Sequence, residues 1–146
     1  MGKFLSIASM CIGGMIYVLW RPDSLVMFHW FSALGLGEFI AYLRSMPLAS
    51  MSLPGWVFHS LPHALWLFSG CLALHAIWRS DSFRQEQFWV ALIAAIAISG
   101  ELGQAAGFVQ GTFDLVDLVL IVSAFAIVQC YIVTDRFLKH PRRNWA

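Results

Sequence analysis

Four long apolar runs constrain this chain more than any other feature of its sequence. They cover about residues 4–20, 61–78, 88–106 and 113–133, and only three carboxyl groups interrupt them. An α-helix needs about 20 apolar residues to cross a hydrocarbon layer about 30 Å thick. Because 60% of the residues are hydrophobic and 12% are charged, a water-soluble surface is excluded. We therefore predict an all-α fold, a polytopic membrane protein with four transmembrane helices in a single domain over residues 1–146.

A fifth apolar segment, at about residues 24–43, is long enough to cross the membrane but carries polar and small residues. These residues are His29, Ser32, Gly35, Gly37 and Glu38. Because polar side chains are unfavourable in hydrocarbon, we predict one helix here that lies in the interface or re-enters from one side. A fifth span is the alternative. We predict loops over residues 44–60 and 79–86.

The distribution of positive charge predicts the orientation, since cytoplasmic loops are enriched in Lys and Arg. With four spans and the N-terminus inside, the outer side holds Arg21 and Arg44. The cytoplasmic side then holds Lys3, Arg79, Arg84, Arg136, Lys139, Arg142 and Arg143. With five spans and the N-terminus outside, Lys3 and Arg21 exchange sides. Both arrangements place the C-terminus in the cytoplasm and the turn at residues 107–112 outside.

Two of the three acids in the apolar runs are predicted to lie at one depth near the outer surface. Gly107 and Gly111 bracket a tight turn, which indicates an antiparallel hairpin of the third and fourth runs. At 1.5 Å per residue, Glu101 lies roughly 9 Å inward from Gly107, and Asp117 lies roughly 8 Å inward from Thr112.

The aspartates fit a helix start, whereas Glu101 does not. Asp114 suits the N-cap of the fourth helix, and Asp117 suits its third position, where the helix dipole favours negative charge. Glu101 lies near a helix C-terminus, where the dipole disfavours a carboxylate. It therefore needs a proton, a partner or a wet cavity. The alternative is a packing-only role, with Glu101 neutral and hydrogen-bonded to Gln104 or to a backbone carbonyl.

Candidate partners for these acids come from other segments on the outer side. His59 and His63 are four residues apart around Pro62, and Arg21 and Arg44 each follow an apolar segment. We predict an outward-facing polar pocket formed by these side chains together with the acids. Its predicted residues are Glu101, Gln104, Asp117, Asp114, His59, His63, Arg21 and Arg44.

The sequence predicts no metal, no cofactor and no catalytic residue. A His-x-x-x-His spacing across a proline is a weak metal pattern, and Ser60 lies near the histidines without a nucleophile elbow. Whether the protein is an enzyme is left open. His75 and His140, on the inner side, are given no role. The basic C-terminal tail indicates a membrane flank and no nucleic-acid partner.

The third run is rich in small residues, which allow helices to approach closely. They are Ala91, Ala94, Ala95, Ala97, Gly100, Gly103 and Ala106. This run is therefore predicted to be central to the bundle or to a homo-oligomer.

Several motifs resemble the VanZ-like family of small bacterial membrane proteins. GELGQ followed by GTFDLVD matches the family pattern of a Glu and a Gln on one helix, a turn, and an Asp at the next helix start. WRPDSLVMFHWF and SLPGWVFHSLPHALWLFS are similar to an uncharacterised subgroup, so the resemblance covers residues 20 to about 122. Gly111 and Thr112 stand where an Arg is common, and His63 stands where the subgroup often has an acid.

The resemblance implies a multi-pass protein of the bacterial cytoplasmic membrane and cell envelope. The family's namesake is linked to low-level resistance to a glycopeptide antibiotic. The expected partners are membrane lipids and a lipid-linked or cell-wall precursor, whose head group the outer pocket would recognise. The alternative from a different class is a small homo-oligomerising membrane subunit, a channel-like element or a defence effector, with a structural acidic hairpin.

Overall fold

A computed structural model of the chain describes residues 2–139, and within them all regular structure is helical. The helices are α1 (Gly2–Trp20), α2 (Val26–Ala33), α3 (Gly37–Arg44), α4 (Gly55–His59), α5 (Leu61–Trp78), α6 (Phe83–Ala105) and α7 (Leu115–Lys139). Four of them, α1, α5, α6 and α7, are long and apolar enough to cross a membrane, and the bent pair of α2 and α3 makes up to five.

Helix α5 is the centre of the bundle, because α1, α4, α6 and α7 all pack against it. The core is a cluster of buried side chains from α5, α6 and α7: Leu67, Cys71, Leu72, Val90, Ala94, Ile121, Val128 and Ile132. Residues 88–106 were predicted to be central to the bundle or to a homo-oligomer. Within the bundle α5 is central, while α6 contributes Val90 and Ala94 to the core and leaves Ala91 and Ala95 exposed.

Small residues form the contact between α1 and α5. Ser6, Ser9 and Gly13 are the buried residues of α1 ahead of Leu19, and they lie three or four positions apart on one face. The Ser6 hydroxyl donates to the Ser69 carbonyl at 2.9 Å, and the Ser69 hydroxyl donates to the Ser6 carbonyl at 2.7 Å. These reciprocal bonds satisfy hydroxyls that apolar surroundings would leave unpaired.

The bundle has two ends. We call the end that holds the cavity described below the pocket end, and the opposite end, where α7 finishes, the tail end. At the pocket end, α1 and α6 finish while α5 and α7 begin, and Arg21 contacts His59. At the tail end, α5 finishes while α6 begins, near Arg136 of α7. Trp78 and Trp89 stack at the tail end, with ring centroids 6.2 Å apart.

The segment at residues 24–43 is two helices, where the sequence predicted one. Helices α2 and α3 meet at 120° around Gly35, whose φ of +75° favours glycine. The Gly35 amide donates to the Ser32 carbonyl and the Leu36 amide to the Phe31 carbonyl, which is the Schellman pattern that ends a helix.

The α2–α3 pair returns to the end of the bundle from which it starts. Asp23, just before α2, forms an ion pair with Arg44 at the end of α3. Arg44 also donates to the carbonyls of Val18 and Arg21, each at 2.7 Å. Both ends of the segment therefore lie beside the end of α1.

The hairpin of α6 and α7 has the predicted turn with different helix limits. Gly107 has a φ of +75° and completes a second Schellman pattern, in which Phe108 donates to the Gly103 carbonyl at 2.8 Å. Helix α6 begins at Phe83 and α7 at Leu115, where runs from 88 and 113 were predicted. The predicted loop at residues 44–60 contains a 3₁₀ turn (Pro47–Ser50) and α4.

Replacement of Gly13 by Ala should destabilise the bundle. A Cβ at residue 13 would lie 2.8 Å from Nε1 of Trp66 and 3.3 Å from Cβ of Leu65. Overpacking of this kind costs about 1–3 kcal/mol in the free energy of unfolding. Gly14→Ala is the matched control, because a Cβ there meets nothing within 4 Å. Thermal unfolding in detergent should show a lower Tm for Gly13→Ala alone; equal values would contradict close packing of α1 on α5.

Candidate functional site

A cavity of about 420 Å³ lies at the pocket end of the bundle. Seven of the eight predicted site residues line it: Arg21, His59, His63, Glu101, Gln104, Asp114 and Asp117. They come from the end of α1, the α4–α5 junction, the end of α6 and the start of α7. The structure therefore brings together side chains that are up to 96 positions apart between Arg21 and Asp117 in the sequence.

Arg44 is the predicted site residue that lies outside this cavity. Its guanidinium pairs with Asp23 and lies over the Phe28 ring, 4.6 Å from the centroid. The break at Gly35 turns α3 back along α1, so Arg44 binds the carbonyls at the end of α1 and does not reach the acids. Its role is to hold the α2–α3 pair in place.

At the centre of the site, His63, Glu101 and Asp117 each direct a ligand atom toward the others. One atom from each side chain lies within 4.8 Å of the other two. Glu101 is 7% exposed and Asp117 is 9% exposed. Asp117 lies in the first turn of α7, and Glu101 lies four residues before the end of α6. Side-chain reach brings them together.

This cluster has polar atoms without partners. Oε2 of Glu101, Oδ1 of Asp117 and Nδ1 of His63 are buried and make no hydrogen bond to the described residues. The closest approach of His63 to a carboxylate is 3.7 Å, from Nδ1 to Oδ2 of Asp117. Buried polar atoms are nearly always paired in folded proteins, and leaving one unpaired costs about 1–3 kcal/mol. A purely structural cluster would satisfy these atoms.

Gln104 does not satisfy Glu101 either. Oε2 of Glu101 has no hydrogen-bond partner among the described residues, and the Gln104 side chain lies against Gly111 of the hairpin turn. A Cβ at residue 111 would come within 2.8 Å of the Gln104 amide carbon. Gly111 therefore leaves the space that lets Gln104 line the cavity.

A second group in the cavity is the hydrogen-bonded pair of Arg21 and His59. Nη1 of Arg21 lies 2.5 Å from Nδ1 of His59. A guanidinium only donates, so Nδ1 of His59 is the acceptor in this contact and Nε2 is left to face a ligand. Arg21 and Nε2 of His59 are thus donors that a ligand in the cavity can meet.

Asp114 caps α7, as the sequence predicted. Its Oδ1 accepts a hydrogen bond of 2.8 Å from the Val116 amide, the second residue of the helix. Asp117 follows at the third position, also as predicted. Asp114 therefore has a structural role that the carboxyl groups of Glu101 and Asp117 lack.

A second polar cluster, at the tail end, was missed by sequence reasoning. Glu86 is fully buried and binds both His75 and Arg136, with Nε of Arg136 donating to Oε2 at 2.5 Å. His75 also contacts Asp135, at 3.3 Å. Arg136 further donates to the Trp78 carbonyl at 3.2 Å. The absence of a role for His75 was a wrong prediction, and His140 lies outside the described residues.

The sequence contained a pattern that locates this cluster. Residues 79–86 were predicted as a loop, but Ser82 accepts a hydrogen bond from the Gln85 amide at 3.3 Å and starts α6 there. Ser-x-x-Gln is a capping-box pattern. Once the helix begins at Phe83, Glu86 and Val90 lie one turn apart on its buried face.

Comparison with known proteins adds no relative to this description. No protein-family model, no curated protein and no solved structure matches the chain. Function is therefore argued from the two polar clusters themselves. At the tail end, Glu86 is paired with His75 and Arg136. At the pocket end, one carboxylate oxygen of Glu101 and one of Asp117 have no partner among the described residues, and both side chains line a cavity.

Replacement of Arg136 by Met should destabilise the protein strongly. The change leaves the fully buried Glu86 with His75 and no guanidinium, and breaking a buried ion pair costs about 3–5 kcal/mol in the free energy of unfolding. Arg84→Met is the matched control, since Arg84 lies two residues before Glu86 on α6 and is exposed. Chemical denaturation in detergent measures both variants. Equal stabilities would contradict a structural role for the tail-end cluster.

Proposed function

We propose that this protein is a VanZ-like protein of the bacterial cell envelope whose outer pocket recognises the polar head group of a lipid or lipid-linked cell-wall precursor. One observation carries the proposal: the buried carboxyl groups of Glu101 and Asp117 have unpaired oxygens and line a cavity of about 420 Å³. Ligand sites are concave, typically about 300–1,000 Å³, with a few convergent polar groups.

The arrangement of the helices supports four crossings of the bacterial cytoplasmic membrane. The α2–α3 pair starts and ends beside α1, so it re-enters from one side and does not cross. Each of its helices has eight residues, or about 12 Å, which is less than half of a hydrocarbon layer of about 30 Å.

Positive charge at the tail end supports a cytoplasmic C-terminus. Lys3 and Arg79 line a cavity of about 550 Å³ there, beside the His75 and Asp135 contact. Arg84 and Arg136 lie at the same end, whereas the pocket end holds Arg21 and Arg44. Because Lys and Arg are enriched on the cytoplasmic side, this distribution supports a cytoplasmic tail end and an outer pocket end.

The charges in the pocket favour a ligand with two kinds of polar group. Glu101, Asp114 and Asp117 outnumber Arg21, so the cavity is negative when the carboxyl groups are ionised. A ligand must therefore bring positive charge or hydrogen-bond donors to the acids. Arg21 and His59 provide donors for an anionic group such as a phosphate. Head groups that combine a phosphate with cationic groups fit this pattern.

Exposed apolar side chains beside the pocket favour an amphiphilic ligand. Phe113 lines the cavity and is 40% exposed, and Phe108 in the turn is 89% exposed. Leu102 and Leu115 are exposed on the adjoining faces of α6 and α7. An acyl or prenyl chain can lie along these residues while its head group enters the cavity.

The homo-oligomeric subunit remains the alternative, and one observation favours it. Ala91 and Ala95 are exposed on α6, which leaves small residues available for contact with another copy. It predicts a stable oligomer in detergent and ion leakage in liposomes, whereas a strict monomer contradicts it.

Glu101→Gln should abolish head-group binding, because it keeps the size of the side chain and removes the negative charge. Native mass spectrometry of the purified protein with phosphatidylethanolamine measures bound lipid. Glu38→Gln is the matched control, because it makes the same change at an exposed carboxyl group outside the cavity. The control should retain binding.

Membrane abundance of Glu101→Gln separates recognition from folding. We expect the variant to accumulate at the normal level in the membrane fraction. Equal loss of protein and of binding would show that Glu101 only maintains the fold, and unchanged binding would refute head-group recognition at this site.

Cysteine labelling tests the orientation. In a Cys11→Ser, Cys130→Ser background, Thr112→Cys should react in intact cells with a membrane-impermeant maleimide, because residue 112 lies in the turn at the pocket end. Ser80→Cys, between α5 and α6, should react only after permeabilisation. Cys71 is buried and should stay unreactive. The reverse pattern would place the pocket in the cytoplasm.

A further inference from the structure

The His63, Glu101 and Asp117 cluster has the composition and geometry of a metal site. Its three ligand atoms, one imidazole nitrogen and two carboxylate oxygens, lie within 4.8 Å of one another. Three atoms at that separation share a point no more than about 2.8 Å from each, against zinc–ligand distances of about 2.0–2.2 Å for nitrogen and oxygen. Movements of about 0.7 Å, within the range of side-chain torsions, close the gap.

A second and independent observation points to an occupant of this cluster. Glu101 is 93% buried, since its exposure is 7%, and its Oε2 atom has no hydrogen-bond partner among the described residues. Oδ1 of Asp117 and Nδ1 of His63 are also buried and unpaired. All three side chains line the same cavity.

The charges of the cluster favour a bound cation. No Lys or Arg nitrogen of the described residues lies within 4 Å of Glu101 or Asp117, and each carboxylate raises the energy of the other. An imidazole beside them can accept a cation only as a neutral ligand. A divalent ion would neutralise both carboxylates and use the imidazole nitrogen at once.

We propose that His63, Glu101 and Asp117 bind a divalent transition-metal ion, for which Zn²⁺ is the best match. Imidazole with carboxylates suits zinc, whereas Mg²⁺ and Ca²⁺ prefer oxygen ligands only. Three protein ligands would leave a fourth tetrahedral position for a further ligand, and all three residues line the cavity.

The metal site deepens the proposed function and rests on the same pocket. The open position is suited to a phosphate oxygen of the head group, and Arg21 and His59 line the same cavity as further donors. The class of ligand is then a phosphate-bearing amphiphile that binds the protein through the ion.

Isothermal titration of Zn²⁺ into the untagged, chelator-treated protein in detergent tests the site without lipid. We expect one Zn²⁺ per chain, with Mg²⁺ unable to compete. His63→Gln, Glu101→Gln and Asp117→Asn should each weaken binding by at least about tenfold, because loss of even an outer-shell partner has an effect of that size. His63 has a 38% exposed side chain, so its variant should fold even if the acid variants do not.

Two variants in the same cavity serve as controls. Asp114→Asn removes a carboxylate that already caps α7, and His59→Gln removes an imidazole that already accepts from Arg21. Both should bind Zn²⁺ as the unaltered protein does. Three results would overturn the metal site. They are an equal loss of Zn²⁺ binding in Asp114→Asn, Zn²⁺ binding that survives all three ligand variants, and no Zn²⁺ binding by the unaltered protein.

Lipid binding measured with and without Zn²⁺ separates this proposal from the proposed function. Phosphatidylethanolamine or undecaprenyl phosphate should bind more tightly to the zinc-loaded protein. Lipid that binds equally well in the presence of a chelator would overturn the metal proposal and leave head-group recognition intact. Binding of one Zn²⁺ per chain without any lipid binding would support the metal site and overturn head-group recognition.

Discussion

Burial of ionisable side chains at both ends of an apolar bundle is the constraint on which the rest of the structure depends. The buried face of α6 begins at Glu86 and reaches Glu101, and that of α7 runs from Asp117 to Arg136, with apolar residues between. Burying a charged side chain is unfavourable unless the charge is paired or hydrogen-bonded. These faces must therefore meet protein at both ends, which fixes the register of the hairpin against α5.

The two ends meet this constraint in different ways. At the tail end, Glu86 is held by His75 and Arg136, and the guanidinium also binds backbone carbonyls, so the cluster is closed. At the pocket end, Glu101 and Asp117 keep unpaired oxygens that face a cavity. The same kind of residue thus maintains the fold at one end and is available for binding at the other.

Sequence reasoning reached the long helices and most of the pocket because both follow from local patterns. Apolar length predicts the helices, and the turn at Gly107 with the cap at Asp114 places the acids near one another. Sequence reasoning failed for contacts that depend on the residue at which a segment distant in the sequence turns. The break at Gly35 directs Arg44 to the end of α1, and the helix start at Ser82 places Glu86 against His75. Neither partner could be inferred from spacing alone, although the capping pattern at Ser82 marked the helix start.

The return of the α2–α3 pair to its own side has a consequence for how such a chain can vary. The Asp23 and Arg44 ion pair holds the two ends of this segment together beside the end of α1. A segment attached in this way forms a closed excursion from the bundle, so its length can change while the helices that follow it, α5, α6 and α7, keep their positions.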